Sequence, residues 1–320
     1  MPNCSVIDII SDPFGFTCGE VAKIIGEHDA KALFSILYKN APKKKPHTMW
    51  VKEVHKDTDT QKYVYELFDG KCIETVCIKR RDGATACISS QVGCSVGCTF
   101  CESGRNGLAR NLSPSEIVQQ VVLLKEKINR IIFMGIGEPL HNYDALIKAI
   151  HILRDRNGLD FPTDGITIST IGPVKWLKKL REEHVKIQLV LSLHATTQKT
   201  RDYIAPGMAG NDIEETVKAA LSYSQRHNRK IIIAYLLLPG INDSHSDVQQ
   251  LSQWFQHENV MINLLEYNET NHKGLRNPNK QEMIRFKSKL ESFGLEASIR
   301  VSHGRNIKAA CGQLASKYNR

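Results

Sequence analysis

The chain has 320 residues and a mass of 36.0 kDa, with 41% hydrophobic and 24% charged residues. These are ordinary globular values, and they exclude a disordered or collagen-like chain. No stretch approaches the ~18 apolar residues of a membrane helix, and the first residues lack the basic region of a secretory signal, so no membrane partner and a cytoplasmic location are expected. Lysine plus arginine is 43 against 34 acidic residues, a net charge of +9 and a pI near 9.0 that favour a polyanionic partner.

Residues 1–40 carry apolar positions at helical spacing (Val21, Ile24, Ile25, then Leu33, Phe34 and Leu37), which predicts one or two short helices in an accessory region of residues 1–45. A linker follows at 41–46, with Lys43, Lys44 and Lys45 between two prolines. Residues 63–77 alternate around Asp69-Gly70, whose positive-φ preference predicts a hairpin in an extension of residues 46–83. From residue 84 to the end, short apolar runs at 84–89, 131–135, 165–169, 187–193, 230–237, 260–267 and 295–301 alternate with helical patterns. The helices are expected near 113–127, 142–154, 174–182, 213–226, 246–256 and 279–293. Ser113, Pro114 and Glu116 supply an N-cap, a proline at N1 and a capping box for the first of these helices. Such alternation predicts an α/β fold with a parallel sheet of about six βα units, either a barrel or an open doubly wound sheet. Ligands would collect at the carboxyl ends of its strands.

Nine cysteines fall at 4, 18, 72, 77, 87, 94, 98, 101 and 311. An odd number in a chain of this length fits a reducing compartment with metal-binding or catalytic thiols better than a disulfide framework. Cys94, Cys98 and Cys101 are spaced C-x3-C-x2-C in the loop after the first parallel strand. Three thiolates so placed can hold three irons of a [4Fe–4S] cube and leave the fourth iron open. A structural zinc would want a fourth closed ligand, which Cys87 or a histidine could supply.

The run Cys87-Ile-Ser-Ser-Gln-Val-Gly-Cys-Ser-Val-Gly-Cys-Thr-Phe-Cys101, with Arg110-Asn111-Leu112, resembles the RlmN/Cfr family of RNA adenine methyltransferases, members of the radical S-adenosylmethionine superfamily. Phe133-Met-Gly-Ile-Gly-Glu-Pro139, Ser169-Thr170, Ser192-Leu193-His194 and Ala309-Ala310-Cys311-Gly312-Gln313-Leu314 match the same family in order, so the resemblance covers roughly residues 63–316. It implies a partial (β/α)6 barrel over residues 84–320, a [4Fe–4S] cluster on Cys94, Cys98 and Cys101, and S-adenosyl-L-methionine contacts from Gly137, Glu138, Ser169, Ser192, Leu193, His194 and Asn268. Cys311 would carry a methyl group, Cys87 would act as resolving thiol or general acid/base, and Glu74 would accept a proton. The implied substrate is an adenine carbon of 23S rRNA, C2 as the commoner outcome and C8 as the other, with tRNA as a further substrate. An electron donor such as flavodoxin or ferredoxin, a monomeric state and a disulfide bond complete what the resemblance implies.

The chemistry gives this proposal a reason. An amidine-type adenine carbon is a poor nucleophile and a sulfonium methyl is an electrophile, so direct displacement lacks a driving pair. A cofactor-derived radical and a prior thiol acceptor avoid the mismatch. On the residues alone, Cys311 could be a small buried residue, Cys87 a core thiol of a strand, Glu74 a solvated hairpin carboxylate and His194 a satisfied structural group. Three features depart from the family pattern: an N-terminal region of only about 45 residues, no aspartates around Ile307, and no asparagine two residues past Pro206. They bear on the RNA substrate. Arg300, Arg305, Lys308, Lys317 and Arg320, with Lys43–Lys45 and Lys79-Arg80-Arg81, are expected around the barrel mouth as phosphate contacts. A radical enzyme of the same fold acting on another substrate without a methyl-cysteine, and a non-enzymatic metal-containing RNA-binding protein, are the two other readings.

Overall fold

The computed structural model describes residues 5–39, 48–270, 274–314 and 319. Cys4, Lys43–Lys45, Lys317 and Arg320 lie outside the described residues.

Three short helices open the chain: α1 (Val6–Ser11), α2 (Cys18–Ile25) and α3 (Glu27–Phe34). Ser5 and Thr17 each cap their helix in a reciprocal box with the acidic residue three positions on, which satisfies orphan N–H groups at the helix starts. Ile9, Cys18, Val21, Ala30 and Phe34 bury together as a small core of their own. Asp155 fastens this unit to the barrel by accepting the Cys18 N–H at 2.7 Å, and Glu20 pairs with Lys148.

Next come four antiparallel strands, β1 (Met49–Lys56), β2 (Thr60–Leu67), β3 (Cys72–Arg80) and β4 (Gly83–Ile88). The expected hairpin is β2–β3, turned at Asp69-Gly70, where Gly70 has a φ of +76°. Strand β1 was absent from the sequence expectation for a physical reason. It is an edge strand, and among its eight residues only Met49 is fully buried, so no two-residue alternation marks it.

Strand β4 has two roles. It ends the antiparallel extension and begins the parallel sheet by pairing with β7 (Ile128–Phe133). Strands β8 (Ile166–Thr170), β9 (Gln188–Ser192), β10 (Ile231–Leu236), β11 (Val260–Leu265) and β12 (Ala297–Arg300) follow, each parallel to its predecessor. The ten-strand order β1-β2-β3-β4-β7-β8-β9-β10-β11-β12 leaves β4 and β12 unpaired with each other, so the barrel is partial, as the resemblance implies. Two short strands, β5 (Gln91–Gly93) and β6 (Leu108–Asn111), form a separate hairpin above it. The crossovers are α4 (Pro114–Val122), α5 (Tyr143–Leu153), α6 (Val174–Arg181), α7 (Gln198–Ile204), α8 (Ile213–His227), α9 (His245–Phe255) and α10 (Lys280–Ser292). Their apolar faces and the outward side chains of the strands bury one continuous core. Among the described residues no helix is long and apolar enough to cross a membrane.

Candidate active site

The loop after β4 is built to hold its shape. The Ser89 hydroxyl donates to the Glu74 carbonyl at 2.6 Å and accepts the Ile136 N–H at 2.9 Å, while Asn142 donates to the Ser90 and Leu112 carbonyls, both at 2.8 Å. The β5–β6 hairpin closes the loop, and Cys94 donates its N–H to the Gly107 carbonyl at 3.0 Å. From the other side, Gly207 donates its N–H to the Val96 carbonyl at 2.8 Å. A Cβ on Gly207 would lie 2.3 Å from the Ser95 carbonyl oxygen, so only glycine lets the segment after α7 approach this closely.

Cys94, Cys98 and Cys101 open from this loop onto one cavity, which Cys87, Gly137, Glu138, Ser169, Ser192, His194, Asn268 and Cys311 also line. Its empty volume, counting the open space at its mouth, is about 1490 Å³. Burial pushes the three cluster-loop thiols up, Cys94 to about 12, so a bound cation is needed to make them thiolates. Val96, Ile171, Ala205 and Met208 pack around Cys94 and Cys98. Soft donors half-buried in apolar surroundings suit an iron–sulfur cube, which takes one thiolate per iron. Among the described residues no three His, Cys, Asp or Glu side chains converge on a single ion.

The carboxyl ends of β7, β8, β9 and β10 form the cavity's polar wall. Gly137 has a φ of +105°, and a Cβ there would stand 2.6 Å from Gln91 Cβ. Glu138 is 4% exposed; its carboxylate accepts from Thr170 Oγ1 at 2.6 Å and from the Ile171 and Leu140 N–H groups at 2.9 Å each. Burial raises its pKa, and these hydrogen bonds oppose the rise. The Ser169 and Ser192 hydroxyls are 3.3 Å apart. His194, 3% exposed and with a φ of +56°, accepts the Leu236 N–H on Nδ1 at 3.0 Å, which assigns its ring proton to Nε2. Burial, aided by the Arg201 charge, lowers its pKa to about 3, so it is a neutral donor. Leu193 is buried in the core and does not border the cavity.

Cys311 is exposed at the cavity's rim, so the buried-residue alternative fails for it. Its segment docks on the cluster loop: Glu102 donates its N–H to the Gly312 carbonyl at 2.8 Å, and Ser103 Oγ donates to the Leu314 carbonyl at 2.6 Å. Asn268 donates to the Cys311 carbonyl at 3.1 Å. The Cys311 thiol faces Met134 Sδ at 3.6 Å. Cys87 is half-buried at the cavity wall, and burial pushes its thiol up to about 12. The disulfide bond expected from the resemblance is absent: every cysteine among the described residues is a free thiol, and Cys311 turns to a thioether instead.

Glu74 overturns the solvated-hairpin reading. It is 3% exposed on β3, ion-paired to Lys62 of β2 at 3.0 Å, and Lys62 also donates to the Lys308 carbonyl at 3.2 Å. It does not border the cavity, although Val76, two residues along the same strand face, does.

The expected basic mouth is smaller than the sequence implied. The antiparallel β3–β4 turn sets Lys79 and Arg80 opposite Ala84 and Gly83, where β4 starts, and none of Lys79, Arg80 and Arg81 lines the cavity, although the adjoining Ile78 and Thr85 do. Arg305 is committed to Glu266 and Asn268. Among the described residues, Arg300 alone of these basic residues lines the cavity.

One residue carried no sequence signal. Arg201 of α7 is completely buried and donates to the Ser192 carbonyl at 2.8 Å and to the Leu193 and Ile171 carbonyls, tying together the ends of β8 and β9. Burial lowers its pKa to about 10, and it faces Cys98 and Glu138 electrostatically. Arginine in a polar helix is ordinarily surface, so only the fold exposes its role.

A partial parallel barrel with three half-buried thiols on the loop after its first strand is the architecture of a radical S-adenosylmethionine enzyme, and residues 88–251 match the family model of the radical SAM superfamily. The chain is 50% identical over 255 residues to a "Probable RNA methyltransferase" of Rhodopseudomonas palustris (strain BisB5), covering 80% of this chain and 71% of that one. It is 41% identical over 270 residues to a "Probable dual-specificity RNA methyltransferase RlmN" of Thermotoga maritima, covering 83% and 78%. Its fold superposes with a TM-score of 0.89 on a radical SAM methyltransferase from Sphaerobacter thermophilus, at 30% identity over 95% of this chain and 99% of the other. The chain belongs to the RlmN/Cfr family of radical SAM RNA methyltransferases, which work with a [4Fe–4S] cluster and S-adenosylmethionine.

Proposed function

We propose that this enzyme methylates an adenine carbon of 23S rRNA, C2 in preference to C8, with tRNA as a further substrate, through a methyl group carried on Cys311. One observation carries the reading: the three cluster-loop cysteines, the half-buried Cys87 thiol and the exposed Cys311 open onto a single cavity.

Cys94, Cys98 and Cys101 would ligate the cluster. When bound, cluster and cofactor together supply the radical chemistry. Gly137, Glu138, Ser169, Ser192, His194 and Asn268 would hold the cofactor, while Leu193, away from the cavity, would only support that wall from the core. In that wall the Glu138 carboxylate favours an ammonium group, and the neutral His194 offers an Nε2 donor. Cys311, the reachable thiol, would accept the methyl at Sγ. Cys87, with its pKa near 12, holds its proton at neutral pH and so meets an adduct as an acid before it can act as a base. Glu74 would accept a proton from behind the cavity lining, held in place by Lys62. The division into accessory residues 1–45, extension 46–83 and catalytic residues 84–320 belongs to the same proposal, as do a monomeric state and a flavodoxin or ferredoxin electron donor.

The test is nucleoside analysis of 23S rRNA and tRNA from cells lacking this modification and supplied with the gene. Appearance of 2-methyladenosine in rRNA is expected. 8-Methyladenosine would reverse the carbon assignment, and unmodified RNA with an active cluster would sink the substrate assignment.

A further inference from the structure

We propose that Arg300 is the site that grips the backbone phosphate of the target nucleotide as its base enters the cavity. The inference rests on reading the chain as an RNA-adenine methyltransferase and names a contact within that site.

Arg300 ends β12, the last strand of the sheet, and borders the cavity beside Cys311 and Met134. Its Nη1 lies 3.5 Å from Met134 Sδ, the same sulfur that the Cys311 thiol faces at 3.6 Å. A thioether is a weak acceptor. Among the described residues no carboxylate pairs with Arg300, because neighbouring Glu266 is taken by Arg305. A half-buried guanidinium facing a thioether leaves most of its donors without anionic partners and open to an incoming anion.

Depth distinguishes which anion. The groups suited to the cofactor, Glu138, Ser169 and His194, are 3–7% exposed on the cavity's inner wall. Arg300 is instead followed directly by Val301, which is 72% exposed, and stands next to the exposed Cys311. A base that reaches the Cys311 thiol brings its own phosphate no farther away than one nucleotide. The planar guanidinium fork matches a phosphate's paired oxygens, and a base must leave its stack for chemistry of this kind.

The experiment measures binding of protein-free 23S rRNA to cluster-loaded enzyme across a salt series, for the wild type, Arg300→Gln and Arg300→Lys. Arg300→Gln is expected to weaken binding about tenfold and to reduce the slope of log K against log salt by about 0.7, the share of one single-strand phosphate. Its affinity for S-adenosylmethionine and its methylation of Cys311 are expected to be unchanged. Arg300→Lys keeps the charge without the fork, so it should keep the slope and lose part of the affinity. An unchanged slope and affinity in Arg300→Gln would overturn the assignment. So would a loss confined to S-adenosylmethionine binding, which would give Arg300 to the cofactor's carboxylate. A wild type that modifies no RNA would overturn the RNA reading itself, and this contact with it.

Discussion

Gly137→Ala tests the cavity wall at its tightest point. The residue holds a φ of +105°, and the added Cβ would meet Gln91 Cβ at 2.6 Å, Gln91 Cγ at 2.8 Å and the Gln91 backbone nitrogen at 2.9 Å. Gln91 cannot swing away. It is fully buried in β5, and its side chain bonds both the Glu138 N–H at 2.9 Å and Asn111 at 2.8 Å. Backbone strain of this kind costs about 1–3 kcal/mol, and overpacking a rigid neighbour costs a further ~1–3 kcal/mol. Gly210→Ala provides the control, because Gly210 has a φ of +86° but nothing within 4 Å of the added atom. Denaturant unfolding of both variants separates the two costs. Gly137→Ala should be less stable than Gly210→Ala by the overpacking share. Because Gln91 holds the Glu138 backbone, it should also lose at least about tenfold in S-adenosylmethionine affinity while keeping its iron. Equal stability in the two variants, or an intact cofactor affinity, would refute the reasoning.

Two further predictions follow from buried charge. Lys62→Met leaves the 3%-exposed Glu74 without its 3.0 Å partner and is expected to cost about 3–5 kcal/mol. Adding Glu74→Met should recover much of that loss, and denaturant unfolding of the single and double variants measures it. His194 has a pKa depressed to about 3 from 6.5. Its neutral burial therefore contributes stability that is present above pH 6.5 and is lost as the pH falls toward 3. The cluster-free protein should weaken across that window, and His194→Gln should flatten this part of the profile; an unchanged profile would count against the buried neutral ring.

Much of this site was legible because the chemistry sits in short runs at strand ends. The C-x3-C-x2-C spacing was readable from the residues, since a parallel sheet delivers strand-end loops to one face, whereas the Gly-x-Gly-Glu turn and Cys311 were read through the family resemblance. What escaped depends on contacts distant in sequence. Arg201 is meaningful only because α7 folds under the ends of β8 and β9. The Lys62–Glu74 pair exists because β2 and β3 are neighbours with those residues on one face. Lys79–Arg81 do not line the cavity, because the antiparallel β3–β4 turn carries them past the lining residues Ile78 and Thr85. Edge strand β1 escaped because an exposed edge needs no apolar alternation.

The central claim is that Cys311 carries the methyl group, and peptide mass spectrometry tests it most directly. The enzyme is purified without oxygen with its cluster, then incubated with S-adenosylmethionine and reductant before digestion. The account predicts a gain of about 14 Da on the peptide containing Cys311 and on no other cysteine peptide. An unmodified Cys311 in cluster-loaded enzyme that still cleaves S-adenosylmethionine would contradict it.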